Sequence, residues 1–287
     1  MARKEATQRK WTWHGTARGP MRRIRKTATG EIGGWLEKEA NLSQEGLAWV
    51  SDDARVSGDA RVYGDAQVSG DAQVSGNARV SDDARVSGNA RVQGTSHVTD
   101  TSHVHGGAWV SGNAHVSGDA QVSGNARVSG YTWVGSGAHV YDNARIRGDA
   151  RVSGDARVYG NAQVSGNAWV SDDAHVYGGA QVSDTSHVHG SAHVTGDAQV
   201  SGDVEIYGNA RVSGTLKTCT RSDGYTFTVF PCTDGIWRMT AGCRFFTMDE
   251  AWNHWVTTRG DEVMSMGAET LDILWLFDQH IARQETK

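Results

Sequence analysis

Residues 48–74 read AWVSDDARVSGDARVYGDAQVSGDAQV, and the six-residue phrase inside them, of the type Val-Ser-Gly-Asp-Ala-Arg, continues without a break to Gly214. Every sixth position from Val50 to Val212 is Val, with only Ile146 and Ile206 substituted, which makes 28 consecutive registers with no inserted residue. Two residues before each aliphatic stands Ala in 23 registers and Ser96, Ser102, Thr132, Ser186 or Val204 in the others. Residues two apart on an extended strand point to the same side, so the small and the branched residue share one interior. Gly with Asp or Asn follows, residue types that tolerate a tight backbone bend and bond local amides. Strands this short, with a corner every six residues, cannot be joined as hairpins. The chain must coil into a solenoid whose turns bury their apolar stripe only against one another.

The repeat resembles the hexapeptide signature of left-handed parallel β-helices, aliphatic-x-Gly-x-small-x, a signature found in many acyltransferases. That resemblance implies three hexads per triangular coil and an all-β solenoid of about nine coils, roughly 45 Å long at the usual strand spacing. The nine-residue calcium repeat is excluded by the period, and a two-sided coil of twelve residues is the rival that would change which residues stack. Ahead of the repeat, Gly33-Gly34-Trp35-Leu36-Glu37, Asn41-Leu42-Ser43, Gly46 and Ala48-Trp49-Val50 are similar to the entry sequence of YdcK-like hexapeptide-repeat proteins of bacteria and of related prophage and phage proteins. The resemblance covers residues 20–214 and implies a fold; fold alone does not carry chemistry.

Three regions follow. Residues 1–47 read as a basic tail and an amino-terminal cap in which Trp35 and Leu36 close the core, since an open first coil would offer unpaired backbone to any other strand. Residues 48–214 are the left-handed β-helix. Residues 215–287 read as a small α+β domain for capping or oligomerisation. In it three strands are separated by Ser222-Asp223-Gly224 and Thr233-Asp234-Gly235. A helix follows, opened by the Thr247/Glu250 capping box and ended by Gly260. A second helix over 268–283 is apolar around too much of its girth for one contact. It is either sandwiched between sheet and solenoid or meets another subunit, with Trp275 and Phe277 as the oligomerisation residues.

Charge is unevenly distributed: ten basic against five acidic side chains over residues 1–47, eleven against eighteen in the solenoid, seven against ten beyond it. An acidic solenoid argues against nucleic acid as a partner along its length. No apolar run is long enough to span a membrane, and the basic start lacks the apolar segment of a signal peptide. Three Cys outside any framework suit a reducing compartment, so the expected location is cytoplasmic.

Information in the solenoid lies in the outward positions beside each Val. With eighteen residues per coil these form three faces. The first, with Arg55, Gln73, Arg91, Trp109, Arg127, Arg145, Gln163, Gln181 and Gln199, reads as solvated. The second pairs His103 with His105, His139 with Tyr141, Arg157 with Tyr159, His175 with Tyr177 and His193 with Thr195, so that Tyr141, Tyr159 and Tyr177 should stack. The third carries His97, His115, Trp133, Arg151, Trp169 and His187. Exposed Trp and Tyr in a patch mark a contact surface, although like residues stacked on neighbouring strands also stabilise themselves. The expected partners are copies of the chain, as the family's trimers of parallel prisms imply, and a host protein or a flat nucleotide-like anion held by Arg, His and Tyr.

Hexapeptide acyltransferases place their catalytic His on loops that leave the repeat. Here no loop does, so no catalytic residue is carried over and no cofactor is implied; acyl transfer at clefts between subunits is the alternative function. His103 and His105 could chelate zinc only with a partner's ligand. Cys219, Cys232 and Cys243 lack metal spacing, and a Cys243 nucleophile with His254 as base lacks a third residue to orient it. The expectation is a non-catalytic binding or scaffold protein.

Overall fold

The computed structural model describes residues 9–214, 216–242, 244–258 and 264–285. The chain divides into two compact units, Met1–Asp155 and Ala156–Lys287, and each is a parallel β-solenoid over its share of the repeat. In the first, Arg85 pairs with Gln67 and His103, Arg91 with Gln73 and Trp109, and His97 with Arg79 and His115. In the second, Arg157 pairs with His175 and Trp169 with His187. Every partner is eighteen residues away, so three hexads make one coil, the triangular coil that the resemblance implied and not the twelve-residue one. The backbone ladder is correspondingly regular, as in Arg91 N–H to Ala108 O at 2.8 Å and Gln93 N–H to Val110 O at 2.9 Å. Each Val stacks on Val or Ile, and the small residues line up beside them, all buried with essentially no solvent exposure, and each buried Val contributes about 1.5–3 kcal/mol.

The amino-terminal segment is more than a lid. Strands Trp11–Arg18 and Met21–Lys26 form an antiparallel hairpin, and Ile32–Leu36 pairs antiparallel with the second strand and parallel with Arg55–Val56. Leu42 then bridges Val62 and Trp49–Val50 pairs Gln67–Val68. Residues 32–50 therefore make one full coil, written without the six-residue phrase. Leu36 closes the core as expected, while the Trp35 ring lies under Arg23 at 4.8 Å and donates its indole N–H to Asp53. A Cβ on Gly33 would come within 2.6 Å of the Trp49 ring and the Val50 carbonyl, and one on Gly34 within 2.6 Å of the Ala54 carbonyl, so only glycine fits where this coil crosses the next. Asn41 is fully buried; its amide donates to Gly58 O (3.0 Å) and Ala60 O (2.8 Å) and its oxygen accepts the Lys38 N–H (2.8 Å).

The small-residue column contains one misfit. Ser96, Ser102 and Ser186 donate their buried hydroxyls to Gln93 O, Thr99 O and Ser183 O, whereas the Thr132 hydroxyl is buried without a partner. An unsatisfied buried hydroxyl costs about 1–3 kcal/mol. Thr132→Val, which keeps the shape and removes that group, should raise stability by about 1 kcal/mol, read as a higher urea midpoint.

In the second unit the last solenoid strand, Arg211–Val212, meets the carboxy-terminal domain through an antiparallel bridge from Val212 to Cys232. The domain is a four-stranded antiparallel sheet in sequence order, Lys217–Thr220, Thr226–Pro231, Trp237–Ala241 and Arg244–Thr247. Helices Met248–Thr258 and Met264–Glu285 follow it. The fourth strand was not anticipated. The capping box is present, with Glu250 N–H to Thr247 Oγ1 at 3.3 Å and Thr247 N–H to Glu250 Oε2 at 2.8 Å; Gly260 lies outside the described residues. Phe227, Val229, Met239 and Ala241 on one side of the sheet pack against Ala251, Trp255, Ile273, Leu274 and Phe277 of the helices. This corrects the expectation for Phe277. It is fully buried in its own domain and faces no partner, whereas Trp275 is 56% exposed.

Candidate functional site

On the second face, the first unit brings Arg85, His103, Gln121 and His139 into register. Gln121 stands between His103 and His139, so the pairs His103/His105 and His139/Tyr141 lie two coils apart. The second unit holds a continuous panel. The Tyr159 and Tyr177 rings stack at 4.9 Å and 2°, and the His175 and His193 rings at 4.7 Å and 21°. Each tyrosine also meets the next coil's imidazole edge-on, Tyr159 with His175 at 6.3 Å and Tyr177 with His193 at 6.2 Å. Arg157 and Arg211 stand in register at the two ends. These rings are half-buried, because each covers its neighbour.

Burial pushes the His175 imidazole below its ordinary value, helped by His193 and Arg157 and opposed by Asp173, and burial with Arg211 does the same for His193. The unfolded chain therefore binds more protons than the folded one just below the ordinary histidine pKa of about 6.5. The panel's contribution to stability is complete above that pH and falls as the pH drops through the depressed folded values. Urea midpoints taken from pH 7.5 to 5 should decline, and His175→Gln, the residue found at the equivalent position 121, should flatten the decline.

On the third face, the His97 and His115 rings lie 4.6 Å apart. Trp133 is 41% exposed and donates its indole N–H to Ser117 Oγ at 2.9 Å. Trp169 is 40% exposed and meets His187 edge-on at 5.4 Å. His189 Nε2 lies 2.8 Å from Glu205 Oε1, with the ring stacked on Tyr207. Sequence reasoning missed Tyr131, which is 72% exposed. Its signal was the departure of the hexad around it from the phrase, with Tyr in the Asp/Asn slot, Thr132 in the Ala slot and Gly135 in the Ser slot. It also missed a polar cleft where the last coil meets the carboxy-terminal sheet, lined by His187, Asp203, Glu205, Tyr225, Thr228 and Thr240 among others.

Among the described residues no three His, Cys, Asp or Glu side chains converge to hold a metal ion. Cys219 is half-buried, its thiol pushed up by burial, and Cys232 is buried. Cys243 lies outside the described residues, and His254 is engaged by Arg244 at 2.9 Å and stacked on Phe246.

A model of the YdcK β-solenoid repeat matches residues 48–64, 54–70, 72–84, 84–100 and 120–136. The repeat is similar to that of the YdcK family, and with the eighteen-residue coil the chain is a β-solenoid repeat protein. A second family model, described as bactofilin, polymer-forming cytoskeletal, matches residues 132–222 of this chain. Among solved structures, an Arabidopsis UDP-N-acetylglucosamine acyltransferase matches at 12% identity with a TM-score of 0.25, over 50% of this chain and 63% of that one. At that score the likeness carries no argument. No curated protein matches the chain. No described helix is long and apolar enough to cross a membrane.

Proposed function

We propose that this β-solenoid repeat protein is a non-catalytic, self-assembling scaffold whose solenoid faces are binding surfaces. The observation that carries the reading is the placement of Tyr131, Trp133 and Trp169, large exposed rings that with Tyr63 stand on an uninterrupted repeat whose outward positions are mostly polar. Exposed aromatics on a rigid polar surface are the composition of interface centres. The match of residues 132–222 to a family described as polymer-forming agrees with assembly through the solenoid. A flat, nucleotide-like anion is a second partner class, favoured by Arg157 and Arg211 flanking the stacked His and Tyr rings.

Sedimentation equilibrium of the intact chain tests assembly directly: the expected result is a mass above the chain's 30.9 kDa, and a monomer at all concentrations sinks the proposal. Calorimetric titration with acetyl-coenzyme A is expected to give no heat at millimolar ligand, and saturable binding would favour the acyltransferase alternative instead.

A further inference from the structure

The solenoid is acidic on average, but in the first unit its carboxylates are not spread evenly. Between residues 72 and 141 there are four, Asp82, Asp83, Asp100 and Asp119, and all four stand at the corner where the chain passes from the third face to the second. That corner lies opposite the first face of the triangular coil. Three successive layers of the first face, residues 88–95, 106–113 and 124–131, accordingly hold no carboxylate. On the second face of this unit every layer, taken from corner to corner, holds at least one, and on the third face only the layer of Trp133 holds none. Asp71 in the layer before, and Asp142 and Asp149 in the layer after, bound the acid-free strip.

Within the strip, Arg91, Trp109 and Arg127 stand in register on adjacent strands. Both guanidinium groups are exposed and neither is in a described ion pair. The indole between them is half-buried, with the Arg127 guanidinium over its ring at 5.6 Å. Asn89, Gln93 and Asn113 supply amides along the margins, groups that both donate and accept hydrogen bonds. The strip therefore offers two cations, an apolar platform between them and neutral polar edges.

We propose that this strip binds a stretch of acidic polysaccharide in which two uronate residues flank one neutral sugar. This rests on the reading that solenoid faces are binding surfaces, and not on self-assembly. Arg91 and Arg127 take the two carboxylates, for which a planar guanidinium is suited by its paired donors. The C–H face of the neutral sugar lies on Trp109, and the amides meet sugar hydroxyls. Spacing selects the polymer. The two arginines lie two strand spacings apart, about 9.6 Å, and a sugar in an extended chain advances by close to one strand spacing, so acid on alternate sugars falls in step with Arg91 and Arg127. A nucleic acid strand presents a phosphate every 3.4 Å or so, roughly three for each arginine interval. An extended acidic peptide repeats its same-side carboxylates at roughly 6.6 Å, which also falls out of step.

The test is calorimetric titration of the intact chain with a hyaluronan octasaccharide, in which uronate and neutral N-acetylated sugar alternate. Saturable binding is expected. Arg91→Gln with Arg127→Gln, Gln being the residue of the same column at position 73, should weaken it by at least about tenfold with β-sheet retained by circular dichroism. Arg79→Gln with Arg151→Gln removes the same charge from the third face and should change the affinity by less than about twofold. Failure of the wild-type chain to bind at millimolar oligosaccharide overturns the proposal. So does an equal loss in the two double variants, which would mean diffuse attraction, or tighter binding of a thymidylate octamer, which would mean a nucleic-acid surface. None of these results bears on the sedimentation test of self-assembly, so the two readings fail separately.

Discussion

Gly130→Ala is expected to lower stability by about 3 kcal/mol, while Gly19→Ala should lose only about 1 kcal/mol, the two read as urea unfolding midpoints under identical conditions. Both glycines have positive φ, +89° at Gly130 and +60° at Gly19, a region in which an L side chain is strained by about 1–2 kcal/mol. They differ in what a side chain would meet. Around Gly19 there is nothing within 4 Å, whereas a Cβ at Gly130 would lie 2.5 Å from the Gly148 carbonyl oxygen and 2.9 Å from its nitrogen. That neighbour is backbone, fixed by the ladder, and relieving the overlap means spreading two coils. Because each coil is stabilised only by its neighbours, hydrogen exchange should quicken first near the corners at 130 and 148. Equal losses for the two substitutions would mean that coil spacing is not what glycine protects.

The second large effect is expected at Asn41. Asn41→Ala leaves the Gly58 and Ala60 carbonyls and the Lys38 N–H without their partner, and each buried group so orphaned costs about 1–3 kcal/mol. A total loss of about 3 kcal/mol is expected. Asn41→Asp should be no better, because a carboxylate accepts from Lys38 but donates to neither carbonyl. Thermal unfolding of both variants would check this, and a loss below about 0.5 kcal/mol in either would mean that the first coil is not held by this side chain.

The repeat was legible because its period is strict: one six-residue phrase defined the buried Ala and Val positions, and eighteen-residue pairing then placed Tyr159 over Tyr177 and His175 over His193. The first coil was less legible. Its strands lack the phrase, and its backbone is completed by one amide side chain and two glycines instead of by the regular ladder. Helix 264–285 failed for a different reason. With apolar residues around most of its circumference, the sequence could not choose between Trp275 and Phe277, and only rotation against Phe227, Val229 and Met239 buried one and left the other in solvent. Tyr131 and Gly135 were visible as departures from the phrase, but a departure has no meaning until it is known what stands beside it.

By itself, then, the order of residues determined that the chain coils and which side chains line the interior, since the six-residue period puts each small and each aliphatic residue on one side; that eighteen residues and not twelve close a turn was decided by the strand pairing. What only the tertiary structure decided is where charge and aromatic surface gather. Net charge averages the solenoid to acidic, yet on the second face of the second unit Arg157 and Arg211 stand at the two ends of the stacked His and Tyr rings. Coiling brings residues eighteen apart to a single strand spacing, and that proximity, not composition, sets what the surface can bind.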